Sequence, residues 1–166
     1  MSGPPDRRSI RYVDAPPSQS RDRIPVLDAA AAQDLLVSAR RIAVVGASPN
    51  PWRASHSVMD YLLTHGYDCV PVNPEADRVL GRRAYPSLEE AVADTGGPFD
   101  IVDVFRRPEF TPEVARSAVA TGCHALWLQL RIVSWEAASI AHEGGLKVVM
   151  DRCTAIEHRA LRGRGR

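Results

Sequence analysis

The run from Arg41 to Ser55, RIAVVGASPNPWRAS, sets a glycine, two serines and an arginine directly after an apolar stretch. A buried strand, a tight turn and a helix start in that order aim backbone N–H groups at an anion. Gly46 and Ala47 form the turn, and Gly46 allows its backbone to approach a phosphate closely. Ser48 and Ser55 offer hydroxyl hydrogen bonds, and Arg53 offers a fork for phosphate oxygens. The second and third glycines of the dinucleotide fingerprint are missing, so the turn suits phosphate while arguing against NAD. A plain strand-to-helix turn with a solvated arginine remains open at this stage.

In an open parallel sheet, ligands lie beyond the carboxyl ends of the strands, so the residues just after each apolar run are the next candidates. After the second run come Asn73 and Pro74, where an NAD enzyme places an acid on the ribose; Asn73 can still bond a ribose or adenine edge, and Asn-Pro is also a common turn pair. Phe105, Arg106 and Arg107 follow the run at 101–105, and at least one guanidinium is expected to face the crevice, unless it pairs with Glu109. Gln129 lies at the end of another run, and Asp151, Arg152 and Cys153 follow the last. Arg152 and a nearby helix start can lower the Cys153 thiol pKa, although a buried, inert cysteine is the commoner outcome. Phe105 and Trp127 can sandwich a base or pack in the core, and most strand aromatics do the latter.

The elements that must position these groups alternate. Strands are expected at 42–45, 68–72, 101–105, 125–130 and 147–150. Between them stand helix signals: Asp28 capping 29–40, Ser55 before a helix closed by Gly66, and a Ser87/Glu90 capping box. Thr111 with Pro112 opens a helix closed by Gly122, and Ser134 opens one closed by Gly144. Strict alternation implies an α/β fold, a Rossmann-like doubly wound parallel sheet of about five to six strands in three α/β/α layers. Pro71 strains this pattern but lies near the end of its strand.

At 166 residues the chain fits one domain, expected at 24–161. Residues 1–23, polar and proline-rich, are expected to be a flexible tail, and 162–166 a short basic one. The formal charge of +1 hides basic ends around a body of charge −4, which argues against nucleic-acid binding. No apolar run is long enough to cross a bilayer and no secretory signal is present, so no membrane partner and a cytoplasmic location are expected. Three scattered cysteines give neither a disulfide framework nor a metal site.

Taken together, VGASPNP at 45–51 with Arg53 and Ser55, PVNP at 71–74, DVFRR at 103–107, WLQ at 127–129 and MDRC at 150–153 resemble the small CoA-binding protein family. The resemblance covers about residues 35–161 and implies the Rossmann-like fold of the N-terminal domain of the succinyl-CoA synthetase α subunit. It implies coenzyme A as cofactor, with Gly46, Ala47, Ser48 and Arg53 on its phosphates, and Val72, Asn73 and Pro74 on the adenosine side. Val104, Phe105, Arg106 and Arg107 would line the pyrophosphate and pantetheine path, with Gln129 at the rim. The phosphohistidine and ATP-grasp partner of the synthetase have no room here, so the expected function is binding of CoA or acyl-CoA without catalytic residues. Alternatives are a CoA-linked thiol/disulfide protein using Cys153, an NAD(P)-binding Rossmann protein, and an accessory subunit for a protein partner such as an ATP-grasp protein.

Overall fold

Apolar residues alternate across each strand and divide the core into two halves, one on either side of a sheet. The computed structural model describes residues 24–164, so the expected tail at 1–23 lies outside the described residues. In chain order the strands are β1 (Arg41–Val45), β2 (Asp68–Val72), β3 (Arg78–Val79), β4 (Arg82–Arg83), β5 (Ile101–Val104), β6 (Ala125–Leu128) and β7 (Lys147–Val149). The helices are α1 (Ala29–Ser38), α2 (Ala54–Thr64), α3 (Leu88–Thr95), α4 (Thr111–Ala120), α5 (Trp135–Glu143) and α6 (Thr154–Arg164). Five strands form one parallel sheet in the order β2-β1-β5-β6-β7, while β3 and β4 make a small separate hairpin. Ala43, Val45, Val102, Val104, Leu126 and Leu128 pack toward α3, α4 and α5. Ile42, Val44, Ile101, Ala125 and Trp127 pack toward α1, α2 and α6. This is the expected three-layer, Rossmann-like α/β arrangement.

Val45 lies opposite Val72 on one side and Val104 on the other. The carboxyl ends of β2, β1 and β5 are therefore level, and the loops after them open on one edge. Pro71 fits because β2 is an edge strand: its carbonyl faces outward to accept from Tyr85 N–H at 3.0 Å, so the missing proline N–H costs β1 no ladder bond.

Asp28, Ser87 and Ser134 cap their helices as expected, accepting from Ala31, Glu90 and Ala137 backbone N–H groups. Three details differ. Thr111 does not cap α4: a 3₁₀ turn at Pro108–Phe110 runs straight into the helix, and the Thr111 hydroxyl donates back to Pro108 O at 2.7 Å. Ser55 lies inside the first turn of α2, with Arg53 in the cap position. Gly144 is not the left-handed residue after α5, a role taken by Gly145 at φ +85°; a Cβ on Gly144 would meet the Val119 side chain at 2.4 Å. The basic segment set apart at 162–166 is helical through Arg164, because Arg162 meets His65 Nε2 at 2.9 Å and Arg164 donates to Gln33 Oε1 at 2.7 Å.

One carboxylate interrupts the apolar sheet. Asp103 of β5 is 0% exposed; Gln129 donates to it at 2.6 Å and Thr154 at 3.0 Å. Burial raises its carboxyl to about 7, against the lowering effect of those two hydrogen bonds.

Two outcomes follow for stability. Asp100 accepts from the backbone N–H groups of Arg40 and Arg41 at 2.8 and 2.9 Å, so Asp100→Ala should cost about 1–3 kcal/mol, read from the urea midpoint. An unfolded aspartate titrates near about 3.9, below folded Asp103, so the native state holds the extra proton between the two values. The contribution of Asp103 to stability is then greatest below about pH 4 and is lost as pH rises to about 7. Urea midpoints of wild type and Asp103→Asn compared at pH 5 and pH 8 should show the steeper decline in the wild type; parallel declines would contradict this.

Candidate functional site

Three hollows run along the carboxyl edge of the sheet, of about 360, 340 and 370 Å³. The first lies against the ends of β1 and β2 and the starts of α3 and α4, lined by Val72, Asn73, Pro74, Ser87, Leu88 and Val114 among others. The second covers the β1–α2 turn, with Gly46, Ser48, Arg53, Ala54, Ser55 and Phe105. The third, mostly apolar, includes Val58, Phe105, Gln129, Leu130, Ile132 and Cys153. Gly46 borders the first two, Ala54 and Phe105 the last two, and Arg106 the first and third, so they form one continuous groove.

Gly46 is the hinge of this arrangement. Its φ is +86°, and a Cβ there would lie 2.7 Å from the Phe105 carbonyl oxygen. Only glycine satisfies both demands. The turn beyond it is held by its own groups: Ser48 N–H donates to Ser55 Oγ at 3.1 Å, Asn50 N–H to Ser48 Oγ at 3.1 Å, and Trp52 N–H to Asn50 Oδ1 at 3.0 Å. Ser55 accepts through its oxygen and keeps its hydroxyl proton for another acceptor. Arg53 makes no side-chain cap hydrogen bond. Among the described residues, the N–H groups of Ala54 and Ser55 at the start of α2 find no acceptor.

Some arginines are paired with carboxylates and others, at the groove and away from it, are not. Arg41, Arg82, Arg83, Arg116 and Arg152 each have a carboxylate within 3.6 Å. Arg53, Arg106 and Arg107, all exposed and all beside the groove, have none among the described residues. The expected alternative of an ion pair with Glu109 is absent there, and Arg106 instead lies over the Phe110 ring at 4.7 Å. Glu75, Glu89 and Glu113 border the first hollow together with Arg106.

Most residues singled out from sequence border the groove, but Ala47, Val104, Trp127, Asp151 and Arg152 do not. Ala47 and Val104 are 0% exposed; Ala47 O accepts from Asn73 Nδ2 at 2.8 Å, and Val104 packs in the core. The Asn73 side chain is a strut as well, its Oδ1 accepting from Glu75 N–H at 2.8 Å. Trp127 is core, its Nε1 donating to Arg152 O at 2.8 Å. Cys153 borders the third hollow at 8% exposure, and burial pushes its thiol up despite helix-start N–H groups from Ile156 and Ala155. Sequence reasoning passed over Leu88, Val114, Leu130 and Ile132, which carry no signal beyond being apolar. It also passed over Asp103, whose signal was legible: a carboxylate within an apolar strand is costly without a purpose. No cluster of His, Cys, Asp or Glu suited to a metal occurs among the described residues, and none of their helices is long and apolar enough to cross a membrane.

Comparison with known proteins finds relatives in sequence and in fold. An uncharacterized protein, YneT of Bacillus subtilis (strain 168), is 41% identical over 126 residues, spanning 76% of this chain and 90% of the relative. A hypothetical protein from Pyrococcus horikoshii OT3 has 40% identity and a TM-score of 0.76, covering 82% of this chain and 94% of that one. An acetyl-coenzyme A synthetase from Ca. Korarchaeum cryptofilum shares the fold at 23% identity and a TM-score of 0.55, over 65% of this chain and 25% of the larger one. Residues 40–159 match the CoA binding domain as a family, and the chain belongs to that family.

Proposed function

We propose that this protein binds coenzyme A along the groove and performs no chemistry on it alone. The observation that carries this reading is the set of positive groups left uncommitted around Gly46. Among the described residues Arg53, Arg106 and Arg107 lack carboxylate partners, and the α2 N-terminus offers two N–H donors at the second hollow. An uncapped helix start with flanking guanidiniums favours a multiply charged anion. The pyrophosphate of CoA is such a group.

The other hollows suit the remaining parts of the ligand. In the first, Val72, Pro74, Leu88 and Val114 offer apolar walls to a base, the carboxylates can accept from its amino group, and Arg106, which borders the same hollow, is the group placed to meet the ribose phosphate of CoA. The third, apolar and adjoining the arginines, fits a thin pantetheine arm. Family membership supports the same ligand. A nicotinamide dinucleotide fits less well: the position directly after β2 is Asn73 rather than an acid, and its amide is spent on Ala47. Thiol exchange at Cys153 is disfavoured by a thiol that burial holds protonated.

Titration calorimetry of the purified chain should show CoA binding, with Arg53→Ala and Arg106→Ala each weakening it about tenfold, the value of one charge-assisted hydrogen bond. Gly46→Ala should lower both affinity and stability, because the new Cβ forces the Phe105 carbonyl aside. Absence of CoA binding, or displacement of CoA by equimolar NADP, would contradict the proposal.

A further inference from the structure

The third hollow has a polar group whose direction is set from beneath. Gln129 is 4% exposed, and its amide nitrogen donates to Asp103 Oδ1 at 2.6 Å and to Thr154 Oγ1 at 3.0 Å. Those bonds use both amide protons. Thr154 Oγ1 in turn donates to Asp103 Oδ2 at 3.0 Å, so the hydroxyl accepts from one neighbour and donates to the other. Turning the amide over would set its carbonyl 2.6 Å from a carboxylate oxygen with no proton between them. The ionised carboxylate therefore fixes which end of the amide points inward. Gln129 Oε1 has no partner among the described residues, whose fully buried side-chain oxygens all have one. It therefore reaches the hollow that Gln129 borders.

We infer that Asp103 is a positioning residue that, with Thr154, holds the Gln129 carbonyl toward the third hollow as a fixed acceptor, so that the site selects an apolar arm carrying an N–H or S–H donor. The inference rests on the CoA reading, since the pantetheine arm carries two amide N–H groups and ends in a thiol. Arg106 and Arg107, which also border this hollow, can only donate, so the Gln129 carbonyl is the strong side-chain acceptor of the lining. Leu130, Ile132, Phe105 and Val58 supply apolar surface, and burial keeps the Cys153 thiol protonated.

Protonation of Asp103 releases the lock, because its O–H can then donate to a turned Gln129 carbonyl. The carboxyl is raised to about 7 by burial, within reach of ordinary buffers. The groups facing it are Gln129 beyond β6, Thr154 and Cys153 at the start of α6, and Cys69 of β2. Both thiols are pushed up by burial, Cys69 to about 12, and no cation pairs with Asp103 among the described residues.

The test is calorimetry of CoA and acetyl-CoA with the full chain between pH 6 and pH 8.5, for wild type and Asp103→Asn. The phosphate of CoA titrates near about pH 6, equally for both proteins, so the comparison isolates Asp103. Wild-type affinity for CoA should fall about fivefold more than that of Asp103→Asn on going from pH 8 to pH 6, and the variant should bind about tenfold more weakly at pH 8. An S–H donor is indicated if acetyl-CoA loses the pH dependence, an amide N–H donor if it keeps it; either supports the lock. Should the variant fail to fold, the wild type suffices: the Gln129 side-chain amide protons should be protected from exchange and shift as pH passes through 7 in nitrogen-15 NMR. Parallel pH profiles, or freely exchanging and unshifted amide protons, would overturn the lock while leaving CoA binding intact. No CoA binding by the wild type at any pH would overturn the CoA reading and this inference together.

Discussion

A single backbone contact organises the edge of the sheet where ligand is expected. β1 and β5 end side by side, and the chain leaving β1 at Gly46 passes close to the Phe105 carbonyl, with 2.7 Å from that oxygen to the point where a Cβ would stand. The contact brings Ser48, Arg53 and the start of α2 beside Phe105, Arg106 and Arg107, although the two segments are far apart in sequence. A larger residue at 46 would part the loops and divide the groove.

Charge is distributed to match. The body is net acidic, and Arg41, Arg82, Arg83, Arg116 and Arg152 are paired with carboxylates, whereas Arg53, Arg106 and Arg107 at the groove have no carboxylate partner among the described residues. The positive end of α2 adds to them, and Glu75, Glu89 and Glu113 border the first hollow at the other end of the groove. A ligand with a charged middle, a flat polar head and a thin apolar arm satisfies all three regions. Beneath the apolar end sits a buried carboxylate, a costly feature in a strand. Two neutral donors, not a cation, compensate it, which leaves its protonation state sensitive to the surroundings.

Much of this was legible from the chain itself. Alternating apolar runs gave the five parallel strands and both layers, because a strand buried on two faces has few other solutions. Asp28, Ser87 and Ser134 announced their helices through local chemistry that needs no tertiary context. Gly46, Ser48, Arg53, Asn73 and Arg106 follow strands, and the level strand ends convert that sequence position into proximity. Much of what escaped depends on contacts distant in sequence, Thr111 being the local exception. Thr111 lost its cap role to the preceding 3₁₀ turn, Gly144 answers to Val119, and the last helix is tied down through Gln33 and His65. Ala47 and Val104 sit in the site motifs yet face inward, since alternate residues near a strand end point to opposite sides. The orientation of Gln129 was hidden because its partners, Asp103 and Thr154, lie 26 and 25 residues away.

The central claim is that one groove, hinged at Gly46, holds coenzyme A from end to end. A crystal structure of the full chain grown with CoA tests it most directly. The account predicts adenine between Val72–Pro74 and Leu88, pyrophosphate at Ser48, Arg53 and the first N–H groups of α2, and the thiol end near Gln129 and Cys153. CoA bound elsewhere, or reversed with its thiol beside Leu88, would contradict it.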